Sequence, residues 1–204
     1  MQVNRGKLIA IEGIDQSGKR TQARLLAREL RARGHSTSLL DFPDYTTRLG
    51  RQLKAYLTGI NRLDFHAVHL LYAANKWERA AEIRSKINRG RNVIVNRYTP
   101  SNLAYGVAHG LSFEWLNSLE KELPKPDLVL VLDISPQASF KRKMRRRDLH
   151  EVNRVYLRKV RNAYLRLAEK YRWKVIDGER NPKIVHLVLW KQVSRTLRIK
   201  SRGS

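Results

Sequence analysis

The chain has 204 residues, 42% of them hydrophobic and 29% charged. That suits one globular α/β domain spanning 1–204 and excludes wholesale disorder. There is no cysteine, so a disulfide scaffold, a thiolate metal site and a cysteine nucleophile are excluded as well. Lys and Arg number 42 against 18 Asp and Glu, a net charge of +24. Such a balance points to polyanionic partners: phosphorylated small molecules, nucleic acid or an anionic membrane. No apolar run approaches the ~20 residues that cross a bilayer, and MQVNRGKLIAIEG does not read as a signal peptide. A cytoplasmic chain without a membrane partner is the expectation.

In chain order, a first apolar run at 7–12 (KLIAIE) predicts a strand. The Gly-rich stretch after it opens a helix that stops at Gly34, a C′ residue. Further strands are expected at 37–41 (TSLLD), 93–96 (VIVN), 128–133 (LVLVLD) and 174–177 (KVID). Four of the five are nearly continuous apolar runs, which suits strands buried on both faces. Helices are expected at 47–58, 64–90 with Asp64 as N-cap, 113–122, 136–146, 153–171 and 181–197, and the terminal KSRGS is expected to fray. Strands interleaved with helices predict a three-layer α/β/α domain with a five-stranded parallel sheet, of the phosphate-loop type. The helix at 64–90 is apolar around most of its first half, so it is expected to pack between the sheet and a partner subunit.

The sharpest local signal is Gly13-Ile14-Asp15-Gln16-Ser17-Gly18-Lys19-Arg20, set between the first strand and the first helix. Glycines let the backbone curl so that successive N–H groups face one cavity. The helix N-terminus adds partial positive charge there, and Lys19 reaches the outer phosphates. The last position departs from the pattern: a hydroxyl that ligates Mg²⁺ is expected, and Arg20 stands there. Thr21 follows, turned by roughly 100° around the helix. At the end of the 93–96 strand, where an Asp usually holds the metal, stands Asn96. An amide oxygen still serves a hard cation through water, without the charge. Mg²⁺ is therefore expected to lean on the nucleotide phosphates, and Arg20 either turns to those phosphates or points away. His66 and His69 are three residues apart and read as structural.

The loop, together with Phe42-Pro43, the run from His69 to Glu78 (HLLYAANKWE), Asn96-Arg97-Tyr98 and Pro124-Lys125-Pro126-Asp127, resembles the thymidylate kinase family in near-collinear order. The resemblance implies transfer of a phosphoryl group from Mg-ATP to dTMP, usually by a homodimer, here through the helix at 64–90. It implies that Gly13, Ile14, Asp15, Gln16, Ser17, Gly18, Lys19, Arg20 and Thr21 form the ATP site. Asp15 would meet the acceptor sugar, Arg97 the monophosphate and Tyr72 the base ring. Lys76 stands where an Arg usually meets the base, and Phe42, Tyr45, Ser101 and Tyr105 fall along the acceptor pocket. His150 stands in place of an aromatic at the end of a basic lid around 141–152. Because Gln16 is neutral, the resemblance also implies that the transition-state cation comes from this lid, from one or two of Arg142, Arg145 and Arg146. The departures at Arg20 and Asn96 leave a nucleotide-binding paralogue with a weakened metal site as one alternative. The charge leaves a nucleic-acid-binding phosphate-loop protein as a less favoured one.

Overall fold

The residues of the first strand, β1 (Leu8–Glu12), divide between two cores. Leu8 and Ala10 pack with Val93, Val95, Val129 and Val131 on one face. Ile9 and Ile11 pack with Ile94, Leu130, Leu132 and Ile176 on the other. A period of two with apolar residues on both faces is what a strand covered by helices above and below requires.

The structure, a computed structural model, describes residues 5–142 and 153–199. β1 is the central strand of a sheet that also holds β2 (Thr37–Asp41), β3 (Asn92–Asn96), β4 (Leu128–Asp133) and β5 (Lys174–Asp177), in the order β2-β3-β1-β4-β5, all parallel. The helices among the described residues are α1 (Lys19–Ala32), α2 (Arg48–Leu57), α3 (Phe65–Asn88), α4 (Thr99–Ala108), α5 (Phe113–Glu120), α6 (Pro136–Arg142), α7 (Arg154–Tyr171) and α8 (Pro182–Thr196). α1 and α8 cover the Ile9 face through Leu26, Leu30, Val185 and Leu189. α3, α4 and α7 cover the other through Ile83, Ile87, Leu103, Leu157 and Val160. The expected three-layer α/β/α fold is therefore present.

The ends follow the sequence closely. Asp64 caps α3 by accepting from the His66 amide at 2.7 Å. Gly34, with φ 83°, follows the C-cap of α1. Two features differ from expectation. The outer strands β2 and β5 are partly exposed, with Ile176 the buried residue of β5; an edge position explains it. The sequence reading also placed no helix at 99–108, where α4 stands. Its run TPSNLAYGVA carries no charged residue to mark an outer face, and it holds Pro100 in the first turn and Gly106 near the end. Packing makes this helix rather than propensity: a Cβ at Gly106 would lie 2.5 Å from a methyl of Leu116 on α5.

Candidate functional site

In a parallel α/β sheet the strands' C-terminal ends form one edge, and ligands bind in the crevice outside it. Here that edge gathers the loop after β1, the Phe42–Tyr45 turn after β2, Arg97 after β3 and the turn from Gly178 after β5. Gly13, with φ 134°, allows the loop to start against β4, since a Cβ there would lie 2.4 Å from the Leu132 carbonyl. Gln16 (φ 65°) and Gly18 (φ 90°) then fold the chain into the helix. Gly18 caps α1 without a side-chain hydrogen bond, so the helix N-terminus presents its amides and the positive end of its dipole to an anion. The buried Lys19 amine donates to the Ile14 carbonyl at 2.7 Å and lies 3.4 Å from Ser17 Oγ.

Over the loop lies a cavity of about 840 Å³, bounded by residues 15–21, by Asp41 and Asn96 at the ends of β2 and β3, by Arg142, and by the 178–182 turn. That volume suits a nucleotide. Arg142 joins the two sides: its guanidinium donates to the Gln16 carbonyl at 3.0 Å and to the Gly178 carbonyl at 2.8 Å.

A smaller pocket of about 100 Å³ opens beside it, between Phe42, Tyr72, Lys76, Arg97, Ser101 and Tyr105 among others. Asp15, Phe42, Pro43, Tyr45 and Arg97 line both cavities. Arg97 is the joint. Its left-handed backbone (φ 63°) breaks the line of β3. Its guanidinium pairs with Asp15 and reaches the Gly13 carbonyl, Ser101 Oγ and the Tyr105 hydroxyl at 3.3, 3.3 and 3.1 Å. Burial opposes that charge most strongly, but Asp15, Tyr105, Tyr164 and Glu12 together outweigh it and Arg97 is held well above its ordinary value, a permanent cation. Beneath it the wholly buried Glu12 accepts from the Tyr98 amide (2.7 Å), Ser101 Oγ (2.6 Å) and the Tyr164 hydroxyl (2.9 Å). Burial raises the Glu12 pKa in spite of these donors and of Arg97.

The pocket's far wall is a buried ion pair. Lys76 donates to Glu120 at 2.7 Å and to the Tyr72 carbonyl at 2.9 Å, and Asn102 donates to the same Glu120 oxygen at 3.0 Å. Burial raises the Glu120 carboxyl, with Lys76 opposing. Phe42, joined to Pro43 by a cis peptide bond, packs on Tyr98 at 5.7 Å between ring centroids.

The structure thus brings Asp15, Gln16, Ser17, Gly18, Lys19, Arg20, Thr21, Phe42, Tyr45, Tyr72, Lys76, Asn96, Arg97, Ser101, Tyr105 and Arg142 to these two cavities. Gly13 and Ile14 stand behind the loop, the first against β4 and the second with its side chain in the core. Arg145, Arg146 and His150, the rest of the expected lid, and the KSRGS tail lie outside the described residues. His69 bonds to Asn102 at 2.7 Å and to His109 at 3.0 Å. Sequence reasoning missed Glu12, Asp41 and the 178–182 turn. The signal for the last two was available: Asp41 ends a strand of the parallel sheet and the turn follows directly on another.

The loop after the central strand, with this strand order, defines the phosphate-loop kinase fold. The comparisons narrow the class. A family model described as thymidylate kinase matches residues 11–187. The thymidylate kinases of Danio rerio and Homo sapiens are each 35% identical to this chain, over 91% of it and 89% of theirs. A solved structure of thymidylate kinase from Candida albicans superposes with a TM-score of 0.86 at 31% identity, over 98% of this chain and 96% of that one. The chain belongs to the thymidylate kinase family.

Proposed function

We propose that this chain transfers the γ-phosphoryl group of ATP to dTMP, giving dTDP and ADP. The observation that carries the reading is the partly buried Arg97–Asp15 pair on the wall shared by the two cavities, where a donor phosphate and an acceptor phosphate would meet. In this reading the large cavity takes ATP, with Lys19 and the loop amides on the outer phosphates. Arg97 holds the dTMP phosphate, and Asp15 faces the acceptor sugar. Tyr72 lies along the base ring. The Lys76 ammonium has three N–H donors; Glu120 and the Tyr72 carbonyl take two, and the third is assigned to a carbonyl on the base edge. Phosphoryl transfer needs alignment and positive charge more than covalent help. Arg142, already on the Gln16 carbonyl, is the lid cation assigned to that task, with Arg145 and Arg146 as the other candidates and the sugar contact assigned to His150. Mg²⁺ accompanies the ATP, held mainly by its phosphates, and supplies charge neutralisation there.

Two finer points belong to the same reading. Leu70 and Trp77 lie seven residues apart on the outer face of α3, 47% and 38% exposed, and their burial against a second copy is the reason to propose a homodimer. A cytoplasmic setting is proposed with it. The test is ADP release with a panel of monophosphates. dTMP is expected to exceed AMP and dGMP by orders of magnitude in kcat/KM. dUMP should come closest, because one methyl group in an apolar pocket is worth only ~1–3 kcal/mol. Comparable values for a purine nucleotide would overturn the assignment.

A further inference from the structure

The two departures in the metal site, Arg20 and Asn96, meet at a third residue. Asp41 ends β2 in register with Asn96 at the end of β3. Its Oδ1 accepts from Asn96 Nδ2 at 2.8 Å. Its Oδ2 lies 3.6 Å from Arg20 Nε, beyond a good hydrogen bond. The Asn96 side-chain oxygen, Oδ1, is buried and without a hydrogen-bond partner among the described residues. Asp41, Asn96, Arg20, Lys19 and Thr21 line the same nucleotide cavity.

These contacts divide the work. Asn96 spends its amide on Asp41 and turns its oxygen inward, which makes it a poor ligand and a good orienting donor. Asp41 keeps one oxygen, partly exposed, on the cavity wall, where a magnesium-bound water would find an acceptor. A hard cation that keeps several waters fits such an acceptor, and a carboxylate supplies the charge that an amide lacks. The carboxylate absent from β3 is thus present one strand over. Arg20, whose side chain is 65% exposed, faces that carboxylate and competes with a cation for it.

Resting on the kinase reading above, we infer that Asp41 is the outer-shell carboxylate of the nucleotide's Mg²⁺ in this chain, oriented by Asn96 and shielded by Arg20 until the metal–nucleotide complex enters. Asn96 is then a positioning residue, and Arg20 gives way at Asp41 when the metal arrives.

The experiment reads metal binding rather than turnover: Mn²⁺ titration of the enzyme–ADP complex, followed by water-proton relaxation, beside ADP affinity measured in EDTA. Asp41→Asn is expected to weaken Mn²⁺ in the ternary complex about tenfold, the loss typical of an outer-shell partner, without weakening ADP in EDTA. Arg20→Ala removes the competing cation from an exposed position and should tighten Mn²⁺. Asn96→Asp alone sets two carboxylates against each other and should restore nothing, whereas the exchange Asp41→Asn with Asn96→Asp returns one carboxylate and one amide and should recover the wild-type titration. An unchanged titration in Asp41→Asn, or an Arg20→Ala variant that binds Mn²⁺ more weakly, overturns the inference. A wild type that binds no ADP at all overturns the kinase reading instead, so the two failures are separable.

Discussion

The two cavities are built from different material. The cavity assigned to the nucleotide is shaped by main chain: a glycine-dependent loop, the start of α1, and the Gln16 and Gly178 carbonyls to which Arg142 is tied. The acceptor pocket is made of side chains from α2, α3, α4 and the loops after β1, β2 and β3, locked by the partly buried Arg97–Asp15 and the buried Lys76–Glu120 pairs. A main-chain site tolerates substitution where only the backbone matters and fails where a Cβ cannot fit. A side-chain site of buried charges fails when either partner of a pair is removed, because the remaining charge has no water to turn to. Damage on one side should therefore show in binding of one substrate, and damage at the joint in the rate itself.

The joint carries the largest effect. Arg97→Ala is expected to lower kcat by about 10³-fold, the scale of a cation that stabilises phosphoryl transfer. Single-turnover kinetics with both substrates saturating checks it, and a loss confined to the dTMP KM would move Arg97 out of the transition state.

On the donor side, Gly13→Ala forces a Cβ to within 2.4 Å of the Leu132 carbonyl and must shift the loop. ATP affinity should fall about tenfold or more, the scale of a 1.4 kcal/mol loss, while dTMP binding to the free enzyme is preserved. Calorimetric titration of each ligand separates the two, and equal weakening of both would show that the cavities are not independent.

On the acceptor side, Lys76→Met leaves Glu120 buried without its cation. The cost should be about 3 kcal/mol of stability at neutral pH, with a raised KM for dTMP and an unchanged KM for ATP. Burial already raises the Glu120 carboxyl, and without Lys76 it rises further. The penalty should therefore shrink as pH falls and the carboxyl takes a proton. Urea denaturation across pH reads both parts.

These two regions were not equally legible in the sequence. The donor loop is contiguous, its glycines and lysine lie within one short stretch between a strand and a helix, and the parallel sheet follows from apolar runs that divide between two cores. The acceptor pocket joins residues far apart in the chain: Lys76 meets Glu120 and Asn102, and Arg97 meets Asp15. No period or spacing announces such pairs, so Tyr72, Lys76 and Arg97 were identified through a family resemblance, while Glu12 and Asp41 went unnoticed. The missing α4 has the same cause. Its residues are specified by what they pack on, Leu116 above all, and an uncharged run with a proline and a glycine carries little helical signal of its own.

The smallest expected effect on the reaction lies beside the two cavities, where Asp44 anchors the start of α2. Burial works to raise its carboxyl, but hydrogen bonds from Thr46 and the Arg79 guanidinium outweigh that and hold it below its ordinary 3.8. A carboxyl lowered in the folded state adds stability that is present above its unfolded value and lost as pH falls through the folded one. Asp44→Asn should cost about 1–2 kcal/mol at pH 7, and its stability should converge on the wild type's as pH falls below the lowered folded value of Asp44.

The most direct measurement is the product itself. Chromatography of a reaction holding dTMP, ATP and Mg²⁺ should show dTDP and ADP formed one for one by the wild type, and almost none by Arg97→Ala at equal enzyme concentration. ADP without dTDP, or dTDP formed equally well without Arg97, would contradict the assignment of that arginine as the joint between the two substrates.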